Sequence, residues 1–222
     1  MAKRRYALIF LAIILLQSML YIYSARSVAF DKSFYPKEFG KHGVYAQLQG
    51  YDADAINAKV LGYLHSGDNG NMIAEDFFNP REKEHLLDVK KAFHYANTAF
   101  FYLAALVFIA LLLLFFIEKK EFVKNTGKIF LGAGIINLAL MAFAFAFVYF
   151  AFAQSFSTFH EMFFEAGTYI FDPGAEKIVL LYPEELFYDA AIIIVMKSMA
   201  ASIVSIISGY IMLRHSKVRE EQ

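Results

Sequence analysis

The 222-residue chain has no cysteine, no tryptophan, only 4 prolines and no net charge. Without cysteine there are no disulfides, no thiolate metal sites and no cysteine nucleophile, and the redox compartment is left open. Without tryptophan, any aromatic belt at a membrane surface must come from tyrosine and phenylalanine. No basic stripe offers itself to nucleic acid, so that class of partner is excluded. What the chain has is apolar residues, 59% of the total, with a mean hydropathy of +0.45. Such a composition belongs to an integral membrane protein.

The expected fold is all-α, with four transmembrane helices at about 6–23, 94–117, 129–153 and 188–213 in a single membrane domain, 1–222. The first run follows Lys3, Arg4 and Arg5. A secretory signal starts similarly, but its apolar part spans only ~7–15 residues, so a retained helix is the better reading. Residues 24–79 form a polar excursion long enough for a small helical subdomain between the first two spans. Pro36 suits a first helical turn, and Asp52 or Asp54 can cap a helix that places Ile56, Val60, Tyr63 and Leu64 on one face. That helix should end in Ser66-Gly67-Asp68-Asn69-Gly70. His42 and His65 read as exposed surface residues. Asn79 as N-cap, Pro80 at N1 and Glu82 at N3 open a further helix that runs without a breaker into the second span.

Short basic segments mark one side of the membrane: the amino terminus, the connection 118–128 and the tail 214–219. The positive-inside rule places all three in the cytoplasm, N-in and C-in, so that 24–93 and 154–187 are extracytoplasmic. The latter loop is acidic, with Glu161, Glu165, Asp172, Glu176, Glu184 and Glu185 against Lys177. It carries His160 among Phe156, Phe159, Phe163 and Phe164. His85, on the polar stem of the second span, shares a helix face with Arg81 and Asp88. Both imidazoles therefore belong to the extracytoplasmic face.

Several chemistries compete for these residues. A metal could be held by His85, Asp88, His160 and Glu161, but a zincin needs a second histidine where Phe164 stands. Ser155, Ser157 or Thr158 beside His160 could serve a hydrolase, though no nucleophile elbow is present. Two imidazoles can instead act as acid and base on a nucleophile the substrate itself carries. Lys197, within the fourth span, is either functional or pairs with Asp189 and snorkels. Ser198, Ser202 and Ser205, like Gly132 and Gly134, read as helix-packing residues.

Residues 79–90, Asn-Pro-Arg-Glu-Lys-Glu-His-Leu-Leu-Asp-Val-Lys, resemble a motif of the lipoprotein intramolecular transacylase family. Phe159-His160-Glu161-Met162-Phe163-Phe164, Phe171-Asp172-Pro173 and Tyr182-Pro183-Glu184-Glu185-Leu186-Phe187 resemble its later blocks, in order. The chain departs at Gly167-Thr168-Tyr169, where tryptophans are expected, and at Leu86, where methionine is usual. The resemblance implies a multi-pass enzyme of the cell membrane, needing no cofactor or metal. Its substrate would be a diacylglyceryl-modified lipoprotein, whose sn-2 acyl chain moves to the α-amine of the same cysteine. It also implies that His85 and His160 are catalytic, and that Arg81, Asp88, Glu161 and Asp172 orient groups or bind substrate; Lys197 joins them on the physical reading above. A membrane hydrolase using water as acceptor, and a non-catalytic scaffold or transporter, are the alternatives.

Overall fold

The computed structural model describes residues 2–67, 71–165 and 167–220, and among them every regular element is helical. The elements are α1 (Ala2–Ala29), α2 (Phe34–Lys41), α3 (Val44–Gln47), α4 (Ala53–His65), α5 (Pro80–Ile117), α6 (Phe122–Phe150), α7 (Phe152–Phe163), α8 (Ile178–Leu181) and α9 (Glu184–Glu220), with a 3₁₀ turn at Lys119–Glu121. α1, α5, α6 and α9 are long and apolar enough to cross a membrane. Each exceeds the ~20 residues a crossing requires. α5 is 38 residues long, so its polar first turns carry His85 well clear of the apolar run. Asp68, Asn69 and Gly70 of the expected turn cluster lie outside the described residues.

The chain divides into two compact units. The first comprises Met1–Arg26, Thr98–Ala146 and Ile194–Gln222. Its core is read directly from helical spacing: Ile9, Ala12 and Leu16 meet Val107, Ala110 and Leu114, with Ile129 and Ala133. α6 and α9 approach so closely that a Cβ on Gly209 would stand 2.5 Å from the amide nitrogen of Leu131, and one on Gly134 2.7 Å from the carbonyl of Ser202. The close approach lets polar side chains pair: Asn137 Nδ2 donates to Ser198 Oγ at 2.9 Å and Ser202 Oγ at 2.7 Å, and Ser205 Oγ to the carbonyl of Phe130 at 2.7 Å. Small residues at the seam and hydroxyls bonding across it are how helices associate in lipid. Gly132 meets Ile13 of α1 instead. Phe101, Phe108, Phe116 and Phe143 stay more than half exposed, as lipid-facing residues should.

The second unit comprises Ser27–Asn97 and Phe147–Ile193. Asp52 caps α4 by accepting from the Ala55 amide at 2.9 Å, and Ala53, Ile56, Asn57, Val60 and Leu61 form its buried stripe. The α4 face meets a tyrosine: Tyr182, half-buried, donates to Asn57 Oδ1 at 2.9 Å. Burial pushes the Tyr182 hydroxyl well above its ordinary pKa, so it stays neutral. Tyr35 packs edge to face on both Phe39 and Tyr182, and the Phe39 ring lies tilted against Tyr182.

Two expectations need correction. His65 is exposed, its ring edge against Phe30, but His42 is not: it lies 2.7 Å from Asp189 and its side chain is 15% exposed. The reason is that α2 ends against the first turns of α9, where a carboxylate waits. The third long helix does not reach 153 either. Ala151 leaves the helical region (φ −145°, ψ 42°) between Phe150 and Phe152, and α7 starts anew as a 12-residue helix with no buried residue.

Candidate active site

His85 is placed by the start of α5. Asn79 Oδ1 accepts from the Glu82 amide at 2.9 Å while Glu82 Oε2 accepts from the Asn79 amide at 2.6 Å, a complete capping box. Glu82 is fully buried, and its other oxygen accepts from the Ile178 amide at 2.6 Å. One carboxylate thus fixes both the helix start and the chain entering α8. One residue earlier, Arg81 does the same for the preceding loop. Its guanidinium donates to Glu176 Oε1 at 2.8 Å and to the carbonyls of Gly167 and Ile170, and stacks 5.1 Å over the Phe171 ring. Glu176, itself buried, uses its second oxygen on the Asp172 amide at 2.7 Å. Gly167, at φ +88°, takes a backbone conformation that favours glycine.

The loop so fastened folds against His85. Phe164 and Phe171 lie 4.9 and 5.3 Å from its ring, and the His160 ring stacks at 6.3 Å with 19° between planes. His85 is 7% exposed. Desolvation pushes its pKa down to about 4, helped by the charge His160 would carry and opposed by Asp88. It is therefore neutral near pH 7. Its Nδ1 is buried without a hydrogen bond. A buried orphan acceptor is tolerated better than an orphan donor, which favours the proton on Nε2.

His160 sits on α7, where its Nδ1 lies 2.7 Å from the Phe156 carbonyl. A carbonyl can only accept, so in the neutral ring Nδ1 carries the proton and Nε2 the lone pair. Phe156, Phe164 and Tyr169 wall the ring at 4.3, 5.4 and 5.3 Å. The pair is thus one basic nitrogen and one neutral donor in an aromatic setting.

The remaining expected residues are distributed differently. Arg81 braces the site through the loop. Asp88 bonds Lys91 at 2.8 Å rather than the imidazole, and acts on His85 only through its charge. Asp172 turns outward to accept from the Gly174 amide, while its own amide completes the Glu176 brace. Glu161 is exposed and accepts from Ser157 at 3.2 Å. Ser155 donates to the Ala151 carbonyl, so neither serine bonds His160. Lys197 belongs to the first unit, exposed on α9. Among the described residues, the three that come within metal-chelating reach of one another are Glu38, His42 and Asp189, not the histidine pair with its carboxylates. Sequence reading overlooked Glu176 as the loop's anchor; its only signal was an acid three residues after an Asp-Pro turn.

A family model described as lipoprotein intramolecular transacylase Lit matches residues 8–187. The chain belongs to that family. It is accordingly a multi-pass membrane protein of an enzyme family that acts on lipoproteins. Its fold resembles the in meso structure of the membrane integral lipoprotein intramolecular transacylase Lit from Bacillus cereus, with a TM-score of 0.82 at 18% identity, covering 100% of this chain and 99% of that one. Structures of the same Bacillus cereus protein with an H85R and an H85A mutation match at 0.77, with 18% and 17% identity, covering 100% and 99% of this chain and 96% of each of theirs. No curated protein matches the chain in sequence.

Proposed function

We propose that this protein moves the sn-2 acyl chain of a diacylglyceryl-cysteine lipoprotein onto the α-amine of the same cysteine, leaving an N-acyl lyso-lipoprotein. His85 and His160 are the catalytic pair. The N–C bond to the acyl carbon forms, the glyceryl C–O bond of the ester breaks, and one proton passes from nitrogen to oxygen. His160 Nε2, the free lone pair, takes the proton from the attacking amine and returns it as imidazolium to the departing glyceryl oxygen. His85 stays neutral and donates a hydrogen bond to the acyl oxygen as negative charge gathers there. A neutral imidazole polarising a carbonyl is an established way of using a histidine whose pKa is held low. Both reacting groups belong to one substrate, so positioning them supplies much of the acceleration. Arg81 positions the loop whose aromatics wall the pair.

The stacked imidazoles, 6.3 Å apart and braced by the Arg81–Glu176 pair, carry this reading. Basic residues at both termini and at 118–128 support a cytoplasmic placement of those segments, and hence an active site on the extracytoplasmic face. Intramolecular transfer leaves the substrate mass unchanged. The test is therefore fragmentation of a synthetic diacylglyceryl lipopeptide after incubation with the purified protein. An acyl group on the cysteine nitrogen is expected. Released fatty acid would replace transfer by hydrolysis, and an unaltered lipopeptide would point to a scaffold.

A further inference from the structure

In the second unit, the end of α2 and the first turns of α9 bring together a cluster that the acyl transfer leaves unused. Glu38, His42 and Asp189 each bring one potential ligand atom to within 4.8 Å of the other two. The Glu38 side chain is 2% exposed, and its Oε2 receives no hydrogen bond. The nearest cationic atoms, His42 Nε2 at 3.4 Å and Lys41 Nζ at 3.7 Å, stand beyond good hydrogen-bonding distance for a buried carboxylate. Asp189 Oδ2, by contrast, takes both Lys41 Nζ at 2.5 Å and His42 Nε2 at 2.7 Å. Two carboxylates facing one another are relieved by a shared proton or by positive charge between them. Lys41 supplies one unit, from a side chain that is 53% exposed on a flexible stem.

We propose that Glu38, His42 and Asp189 form a binding site for a divalent transition-metal ion of the zinc class. Lys41 holds the place of the ion and swings into solvent when it binds. The ligand set is one imidazole nitrogen and two carboxylate oxygens, which suits zinc, with water completing the tetrahedron. Calcium and magnesium prefer all-oxygen sites. Ligand atoms ~2.1 Å from a tetrahedral ion stand roughly 3.4 Å apart. Glu38 and His42 already have that spacing, and the His42–Asp189 pair reaches it by opening a fraction of an ångström. The ion would staple α2 to α9 within this unit, as a structural element independent of the acyl-transfer chemistry.

The test uses untagged full-length protein in detergent, stripped with chelator and titrated with ZnCl₂. Metal content after gel filtration and thermal unfolding followed by tyrosine fluorescence are the two readouts. One zinc per chain and a raised melting temperature are expected, with no matching response to CaCl₂. His42→Ala and Asp189→Asn should each abolish stoichiometric binding. Lys41→Ala removes only an exposed charge, so it should fold and bind zinc at least about tenfold more tightly, because the ion no longer has to displace an ammonium from Asp189. Absence of stoichiometric zinc from the wild-type protein, or its retention in both H42A and D189N, would overturn the assignment. So would a K41A variant that binds no tighter than wild type.

Discussion

Acidification should unfold this protein through His85. The group is buried, and its pKa falls from 6.5 to about 4 because burial penalises the imidazolium. Below pH 6.5 the unfolded chain binds a proton that the folded chain refuses, so stability is lost as pH falls through 6.5 towards 4. Integrating between those two values gives about 2 kcal/mol lost by pH 5 relative to pH 7.5, approaching about 3 kcal/mol below pH 4. In His85→Gln this contribution vanishes. The stability difference between wild type and H85Q should therefore shrink by about 2 kcal/mol between pH 7.5 and 5. Unfolding in mixed bicelles at a series of pH values measures it. Because His160 lies against the ring, the comparison should be repeated in a His160→Asn background, which removes the neighbour's charge. A wild-type-minus-H85Q difference that is flat across this range would show that His85 is solvated like any surface histidine. The picture of a neutral donor would then be abandoned.

Further outcomes concern His160, Arg81 and the glycines of the helix seams. His160→Asn keeps a donor towards the Phe156 carbonyl but has no base, so the rate on lipopeptide should drop about 10²–10⁴-fold with binding of the lipopeptide little altered. Arg81→Lys keeps the charge but loses the planar fork that reaches Glu176, Gly167 and Ile170 together, so loosening of the loop should lower kcat by up to about 10²-fold. Hydrogen exchange over residues 167–176 should rise in the same variant, a change that loss of a mere surface charge would not produce. Gly209→Ala would push a methyl to 2.5 Å from the Leu131 amide nitrogen and 2.7 Å from the Gly127 carbonyl, and should destabilise by about 1–3 kcal/mol or more. Gly132→Ala meets the Ile13 side chain, nearest at its movable Cδ1, and no backbone, so it should be milder in the same unfolding assay.

Helix signals in this chain are local, and that is why most of the fold could be read from it. Asp52, the Asn79–Glu82 box and the apolar runs act within a turn or two of themselves, and each appears in the structure. The glycine and serine seam of α6 and α9 was legible for the same reason, since small residues in lipid have few other uses. His42 was misread because its partner, Asp189, lies 147 residues away and no periodicity links them. The break at Ala151 was missed because an apolar run carries no mark of where a helix restarts in the interface. At the candidate site, the histidines announced themselves as titratable groups in aromatic company. Glu176 and Glu82 did not, because a buried carboxylate that ties backbone amides together looks in sequence like any acid on a loop.

The proposed reaction and the electrostatics of the site constrain each other. Surroundings in which His85 resists protonation near neutrality are a poor place to hold net charge. It suits a reaction that begins and ends neutral: an amine and an ester become an amide and an alcohol, and the single proton that moves needs one lone pair to carry it. His160 Nε2 offers that lone pair, because the Phe156 carbonyl holds the proton on the other nitrogen. The walls set the choice of acceptor. Phe164, Phe171 and Tyr169 crowd the two rings with apolar surface, which favours a nucleophile tethered to the substrate over water drawn from solution. On this argument the aromatic lining decides between transfer and hydrolysis. Phe171→Ala, which opens the wall beside His85 while leaving both imidazoles in place, should then raise the share of free fatty acid among the products. An unchanged product ratio in that variant would mean that the tether alone, and not the dryness of the site, directs the acyl group to nitrogen.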